Sequence, residues 1–176
     1  AGADHTYTIE GLMQDGKALQ MCTSHILAHS FPASFDMKYQ AEDGTTQVPY
    51  CTSWGFTTRS VCALIMTHGD AVGLVMPPRV APIQAVLIPI FKTDEERAAV
   101  MGRLIEVKRA LEAAGVRVHV DDNLATTPGA KFFHWEVRGV PVRIEMGPKD
   151  LAADSVVLVN RIEPDKAKRK TVSSVD

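Results

Sequence analysis

The sequence offers no cysteine pair. Its three cysteines, Cys22, Cys51 and Cys62, are odd in number, lie far apart and include no Cys-x-x-Cys. That excludes a disulfide framework, and with no signal-peptide pattern the expected setting is a reducing, cytosolic one. No apolar run approaches the roughly 20 residues that a membrane-spanning helix needs, so no membrane role is expected. A basic excess is also missing. The formal net charge is -2, whereas a nucleic-acid partner usually announces itself through net positive charge, so any such site must be a local patch. The dense basic cluster Lys166, Lys168, Arg169 and Lys170 sits near the chain end and reads as a solvated tail. Internal repeats and low-complexity segments are absent too.

What is present is an ordinary globular composition. The 176 residues are 45% hydrophobic, enough for one domain or two small ones with a buried core. The first half reads as antiparallel sheet. Extended Tyr7 to Glu10 precedes Asp15-Gly16, extended Phe35 to Gln40 precedes Asp43-Gly44, and Thr46 to Trp54 follows. Asp-Gly between extended segments marks a hairpin, because glycine supplies the positive φ of a tight turn. Thr57 to His68 reads as a helix whose apolar positions, Val61, Leu64, Ile65 and Met66, run too continuously for a clean stripe, which predicts a largely buried element. Gly73 to Met76 could rejoin the sheet. Pro77-Pro78 and Ala81-Pro82 then mark a boundary.

Beyond that boundary the rhythm changes to alternating strands and helices. Ala85 to Ile90 is a short apolar strand. Thr93 with Glu96 forms a capping box opening a helix to about Ala114, with Val100, Leu104, Val107 and Leu111 on its apolar face. Gly115 stops it, and Val116 to Val120 alternates as a strand. Strand, helix, strand implies a right-handed crossover and a parallel pair. A second helix from about Ala130 to Arg138 ends at Gly139, Val140 to Met146 alternates again, and Ser155 to Val159 is a buried-type strand. The expected fold is α/β in the α+β sense, an antiparallel sheet followed by a mixed sheet packed by helices.

Two groupings carry possible chemistry. Arg59 follows Thr57-Thr58 at a helix start, where exposed backbone amides favour anions and a guanidinium can pair with phosphate or stack on a base; a surface arginine capping the helix is the alternative. Cys22, His25 and His29 fall at spacings that resemble metal ligands, but structural zinc wants a recognisable second pair and none exists, so buried thiols, incidental histidines and no metal are expected.

The run Thr52-Ser53-Trp54-Gly55-Phe56-Thr57-Thr58-Arg59, continued by Met66 to Asp70 and Gly73 to Pro82, closely resembles prolyl-tRNA synthetases of the archaeal and eukaryotic type. Blocks Tyr7 to Gln20 and Thr23-Ser24-His25 upstream, and Trp135 to Asp150 downstream, match in family order. The resemblance implies residues 1–81 as the C-terminal part of a class II catalytic core ending in its third motif, 82–163 as an anticodon-binding domain, and 164–176 as a charged tail. It implies ATP-dependent activation of proline and transfer to the 3′ end of tRNA(Pro), with Mg2+ accompanying the nucleotide and a homodimer in the full-length enzyme. The two earlier class II motifs have no counterpart here, so the chain alone is expected to be inactive. A non-catalytic, degenerate paralogue that only holds tRNA or a protein is the alternative.

By the same resemblance Arg59 is the catalytic residue, Gln20, Thr23, Thr57 and Arg59 hold ATP, and His25 and Trp54 flank the proline pocket. Proline anticodons present two guanines. A carboxylate can accept from guanine N1 and N2 while arginine pairs with O6 and N7, so Glu136 and Arg143, with Lys149, are assigned to the anticodon; a salt bridge between Glu136 and a neighbouring arginine is the alternative. Trp135 and Phe132 are expected as core anchors. The sequence departs from the family at Met21-Cys22, in place of Ala-Gly, and at Leu27-Ala28-His29-Ser30-Phe31, in place of Leu-Gly-Gln-Asn-Phe.

Overall fold

The computed structural model describes residues 2–163 and 170–173. The chain divides into two compact units, Ala1–Thr67 and His68–Asp176. The division falls ahead of the proline-marked boundary because Gly73 to Met76 lies within the second unit. There Leu74 N–H bonds to Val137 O at 2.9 Å and Met76 N–H to Gly139 O at 3.0 Å. Those bonds tie the segment to a helix end, so it does not return to the first sheet.

In the first unit, β1 (His5–Leu12), β2 (Ala18–Ala28) and β5 (Cys51–Phe56) form an antiparallel sheet in the order β1-β2-β5. The long central strand β2 had no clear signal, since its polar and apolar residues follow no strict alternation. α1 (Ser30–Ser34) occupies part of the loop, so extension begins only at β3 (Tyr39–Gln40), which pairs with β4 (Thr46–Gln47) around Asp43-Gly44 as expected. The predicted strand from Thr46 to Trp54 is broken at 48–50, where Pro49 has no amide to give. α2 (Arg59–His68) begins two residues later than the predicted Thr57, ends at His68 as predicted, and is not buried: Val61, Ile65 and Met66 are about half exposed, and only Ser60 and Ala63 are enclosed.

The second unit is built on β6 (Ala85–Pro89), every residue of which is buried. A strand covered on both faces reads as a continuous apolar run. α3 (Asp94–Ala113) leads to β7 (Val118–Val120), parallel to β6 on one side; α4 (Pro128–Val137) leads to β8 (Val142–Met146), parallel to β6 on the other. After α5 (Pro148–Ala152), β9 (Ser155–Asn160) runs antiparallel to β8, and β10 (Lys170–Ser173) antiparallel to β9, giving the order β10-β9-β8-β6-β7. Lys170 thus belongs to a strand, while Lys166, Lys168 and Arg169 lie outside the described residues.

Alternation along β6 assigns the two faces. Ala85 and Leu87 pack with Val100 and Leu104 of α3 and with Ile144, Met146 and Val156; Val86 and Ile88 pack with Trp135 of α4 and Val140. Each fully enclosed Leu or Ile stabilises the fold by about 1.5–3 kcal/mol. Thr93 caps α3 by accepting from Glu96 N–H at 3.2 Å, and the Glu96 carboxylate reaches Lys92 N–H at 2.7 Å. α4 begins in the same way at Thr127, which accepts from Ala130 N–H, with Pro128 in its first turn. It closes at Gly139, which has a φ of +72°. Among the described residues no helix is long and apolar enough to cross a membrane.

Candidate functional site

Strand pairing decides which side chains of the first unit can meet. Residues directly opposite on neighbouring strands share a face, and successive residues alternate. Thr8, Thr23 and Gly55 therefore lie on one face with Thr6, His25 and Ser53; Tyr7, Ser24 and Trp54 lie on the other with Ile9, Cys22 and Phe56. A register shift between Ile9 and Glu10 re-aims Gln20 onto the first face, where its amide donates to Thr23 Oγ1 at 3.0 Å. Arg59 Nη1 donates to Gln20 Oε1 at 3.2 Å, and Arg59 N–H to Thr57 Oγ1 at 3.3 Å. On the same face Thr6 Oγ1 and His25 Nδ1 are 2.9 Å apart.

Gln20, Thr23, Thr57 and Arg59 are thus brought together as expected, a cation with three hydrogen-bonding side chains around it. Trp54 is not brought to His25: alternation puts the indole on the opposite face, 78% exposed, beside an open apolar groove of about 440 Å³ that includes Tyr7, Ile9 and Phe56. The thiols are not buried as expected. Cys22 and Cys51 are half-buried and Cys62 is exposed. Among the described residues no group of three or more His, Cys, Asp or Glu side chains converges to hold a metal ion.

In the second unit Glu136, in the last turn of α4, and Arg143, near the start of β8, line one small cavity together with Val86, Trp135, Asn160 and Arg161. They do not pair with each other. Arg143 Nε donates to the buried Glu145 at 2.9 Å, and its guanidinium lies over the Phe132 ring, 4.4 Å from the centroid. The Glu136 carboxylate has no hydrogen-bond or ion-pair partner among the described residues; only its backbone carbonyl is engaged. Lys149 is exposed in the first turn of α5 and is not part of that cavity.

Trp135 is the expected core anchor, 7% exposed, with its indole N–H on Asp121 Oδ2 at 2.8 Å. Lys131 adds an ion pair to Asp121 at 3.2 Å. Burial pushes the Asp121 carboxyl up, but the hydrogen bonds from Trp135 and Lys131 outweigh it and hold the group below its ordinary value. Sequence reasoning missed Glu145, although its i+2 spacing from Arg143 on a strand places both on one face. It also missed Arg161, for which no local spacing gives a signal.

The second unit is thus a mixed five-stranded sheet with helices on both faces, and a carboxylate and a guanidinium line one cavity beside its central strands. The family described as the anticodon binding domain matches residues 84–175, and the chain belongs to that family. Over nearly its whole length the chain is similar to proline–tRNA ligases, which bears out the resemblance drawn from its motifs. It is 50% identical over 167 residues to the chloroplastic/mitochondrial enzyme of Arabidopsis thaliana, covering 95% of this chain and 31% of that one. Against the enzyme of Chloroflexus aggregans it is 50% identical over 171 residues, covering 97% and 35%. The Giardia lamblia prolyl-tRNA synthetase, solved in complex with prolyl-adenylate, superposes with a TM-score of 0.78 at 34% identity, covering 99% of this chain and 36% of that one. The chain spans about a third of the length of the relatives it matches.

Proposed function

We propose that this chain carries the anticodon-reading module of a proline–tRNA ligase together with one wall of its adenylate-forming site. The observation that carries the reading is that Glu136 and Arg143 line one cavity, with the Glu136 carboxylate unpartnered among the described residues and the Arg143 plane fixed against Phe132 and Glu145. An anticodon loop presents unpaired bases. Guanine N1–H and N2–H then donate to Glu136, while the terminal nitrogens of Arg143 donate to O6 and N7. Lys149, exposed on α5 and without a carboxylate partner among the described residues, supplies a further cation.

On the polar face of the first unit, Arg59 neutralises phosphate and Gln20, Thr23 and Thr57 orient the nucleotide, with His25 turned toward the amino acid. The reaction would join the proline carboxylate to the α-phosphate of ATP with loss of pyrophosphate, then pass proline to the tRNA 3′ end. Mg2+ would travel with the nucleotide phosphates, because none of these four side chains is a carboxylate. The chain spans about a third of the length of the relatives it matches, and by itself it is expected to show no proline-dependent ATP–pyrophosphate exchange.

The test is a titration of the chain, at fixed moderate salt, with a proline tRNA transcript and with the same transcript carrying adenines for both anticodon guanines. A good bidentate base contact is worth about 1–3 kcal/mol of discrimination. The preference for guanine should therefore be at least about tenfold, and Glu136→Gln and Arg143→Ala should each abolish most of it. Equal binding of the two transcripts by the wild-type chain would overturn the reading.

A further inference from the structure

We propose that Asp70 is a positioning residue for base recognition: by occupying the guanidinium fork of Arg161 it leaves the Glu136 carboxylate open to the anticodon. The inference rests on the assignment of Glu136 to guanine. It places the His68-Gly69-Asp70 run, which the resemblance puts with the catalytic motifs, in the service of the second unit.

Arg161 is 5% exposed and uses three nitrogens at once. Its Nη1 and Nη2 donate to the two Asp70 oxygens at 2.8 and 2.7 Å, and its Nε donates to the backbone carbonyl of Glu136 at 2.8 Å. A buried guanidinium with no carboxylate on its fork is strongly disfavoured and turns toward whatever anion it can reach. Here that anion is the Glu136 side chain, on the residue whose carbonyl Arg161 already holds and beside the cavity both residues line. Asp70 removes this competition. Its carboxyl is held well below the usual range by the Arg161 fork and by the Gly73 and Val72 amides, so it stays anionic.

The surrounding backbone gives Asp70 little freedom. Val72 N–H and Gly73 N–H donate to Asp70 Oδ1 at 2.9 and 3.0 Å, fixing the turn. The following residues lie directly against the end of α4. A Cβ on Gly73 would sit 2.5 Å from Val137 O, and one on Gly139 would sit 2.3 Å from Leu74 O. Neither glycine has room for a side chain, so the turn and the residues beside Glu136 are locked to each other.

The experiment measures the guanine-over-adenine preference with the two transcripts above for the wild-type chain, Asp70→Asn, Glu136→Gln and the double variant, with a thermal melt of each. Asp70→Asn should lower the preference about tenfold without weakening binding to the adenine transcript. The double variant should lose no more than Glu136→Gln alone, because Asp70 acts through Glu136. Arg161→Lys keeps the charge but cannot hold both Asp70 oxygens and the Glu136 carbonyl, so it should also lower the preference; it carries the test if Asp70→Asn does not fold. An unchanged preference in Asp70→Asn or in folded Arg161→Lys would overturn the proposal, as would losses that simply multiply in the double variant. A wild-type chain with no preference would overturn the guanine reading itself, and this inference with it, before any variant is made.

Discussion

The two units meet the burial problem differently. In the second, Val86, Leu87, Ile88, Val100, Leu104 and Met146 are all 0% exposed, and each face of the central strand is covered by a helix of the same unit. In the first, the apolar face of a three-stranded sheet stands open: Trp54 is 78% exposed, Phe56 75% and Ile9 65%. A small sheet with one apolar face needs cover to be stable on its own. The second unit therefore supplies its own stability, while the strands of the first are placed by pairing more than by packing. Its polar face gathers Gln20, Thr23 and Arg59 through side-chain hydrogen bonds.

The largest effect should separate the units most sharply. Leu104→Ala removes a fully enclosed side chain and should cost about 3 kcal/mol, whereas Phe56→Ala should cost less than about 0.5 kcal/mol. The two tryptophans, Trp54 and Trp135, report on different units. Urea unfolding should show a lowered midpoint for Leu104→Ala when followed by Trp135 fluorescence in a Trp54→Phe background, and no lowering for Phe56→Ala when followed by Trp54 fluorescence in a Trp135→Phe background. Equal losses would mean that the exposed face is covered in solution.

Backbone strain sharpens the contrast in opposite directions. Gly139 has a φ of +72° and no space for a Cβ, so Gly139→Ala meets both conformational strain and a backbone clash. It should destabilise the second unit by more than about 1 kcal/mol. Ala28 in the first unit already has a φ of +48°, in the left-handed region that glycine tolerates best. Ala28→Gly should stabilise the first unit by up to about 1 kcal/mol. A destabilised Ala28→Gly variant, measured by Trp54 fluorescence in a Trp135→Phe background, would remove the strain argument.

Much of this was legible in the residues. Thr93 and Glu96 opened α3 where the capping box said, the alternation at Val140 to Met146 became β8, and the two Asp-Gly pairs turned as hairpins. The second unit reads well because its elements are amphipathic or fully apolar, and period reveals what each must cover. The first reads less well because its strands carry site chemistry in place of core, and so β2 passed unnoticed. The candidate site was legible as a set of residue types and illegible as a surface. Nothing local in the sequence says that a bulge turns Gln20 toward Thr23, that alternation sends Trp54 away from His25, or that Arg161 reaches back to Asp70. Those facts belong to register and to contacts far apart along the chain.

The smallest difference concerns acid. Asp121 and Asp70 of the second unit are both held below their ordinary carboxyl values, the first by Trp135 and Lys131 against the opposing effect of burial, the second chiefly by Arg161. A folded-state pKa below the unfolded one contributes stability that is complete above the unfolded value, about 3.9 for Asp, and is lost as pH falls through the folded value. The second unit should accordingly weaken below about pH 4. In the first unit the lowered carboxyl is Asp43, held by Thr45 in an exposed hairpin where solvent screens the interaction. Asp121→Asn should flatten the acid limb of the Trp135 unfolding midpoint plotted against pH, while Asp43→Asn leaves it as it was. If both variants follow the wild-type curve, the acid response comes from elsewhere, and the tie between Asp121, Lys131 and the Trp135 indole contributes packing geometry more than charge.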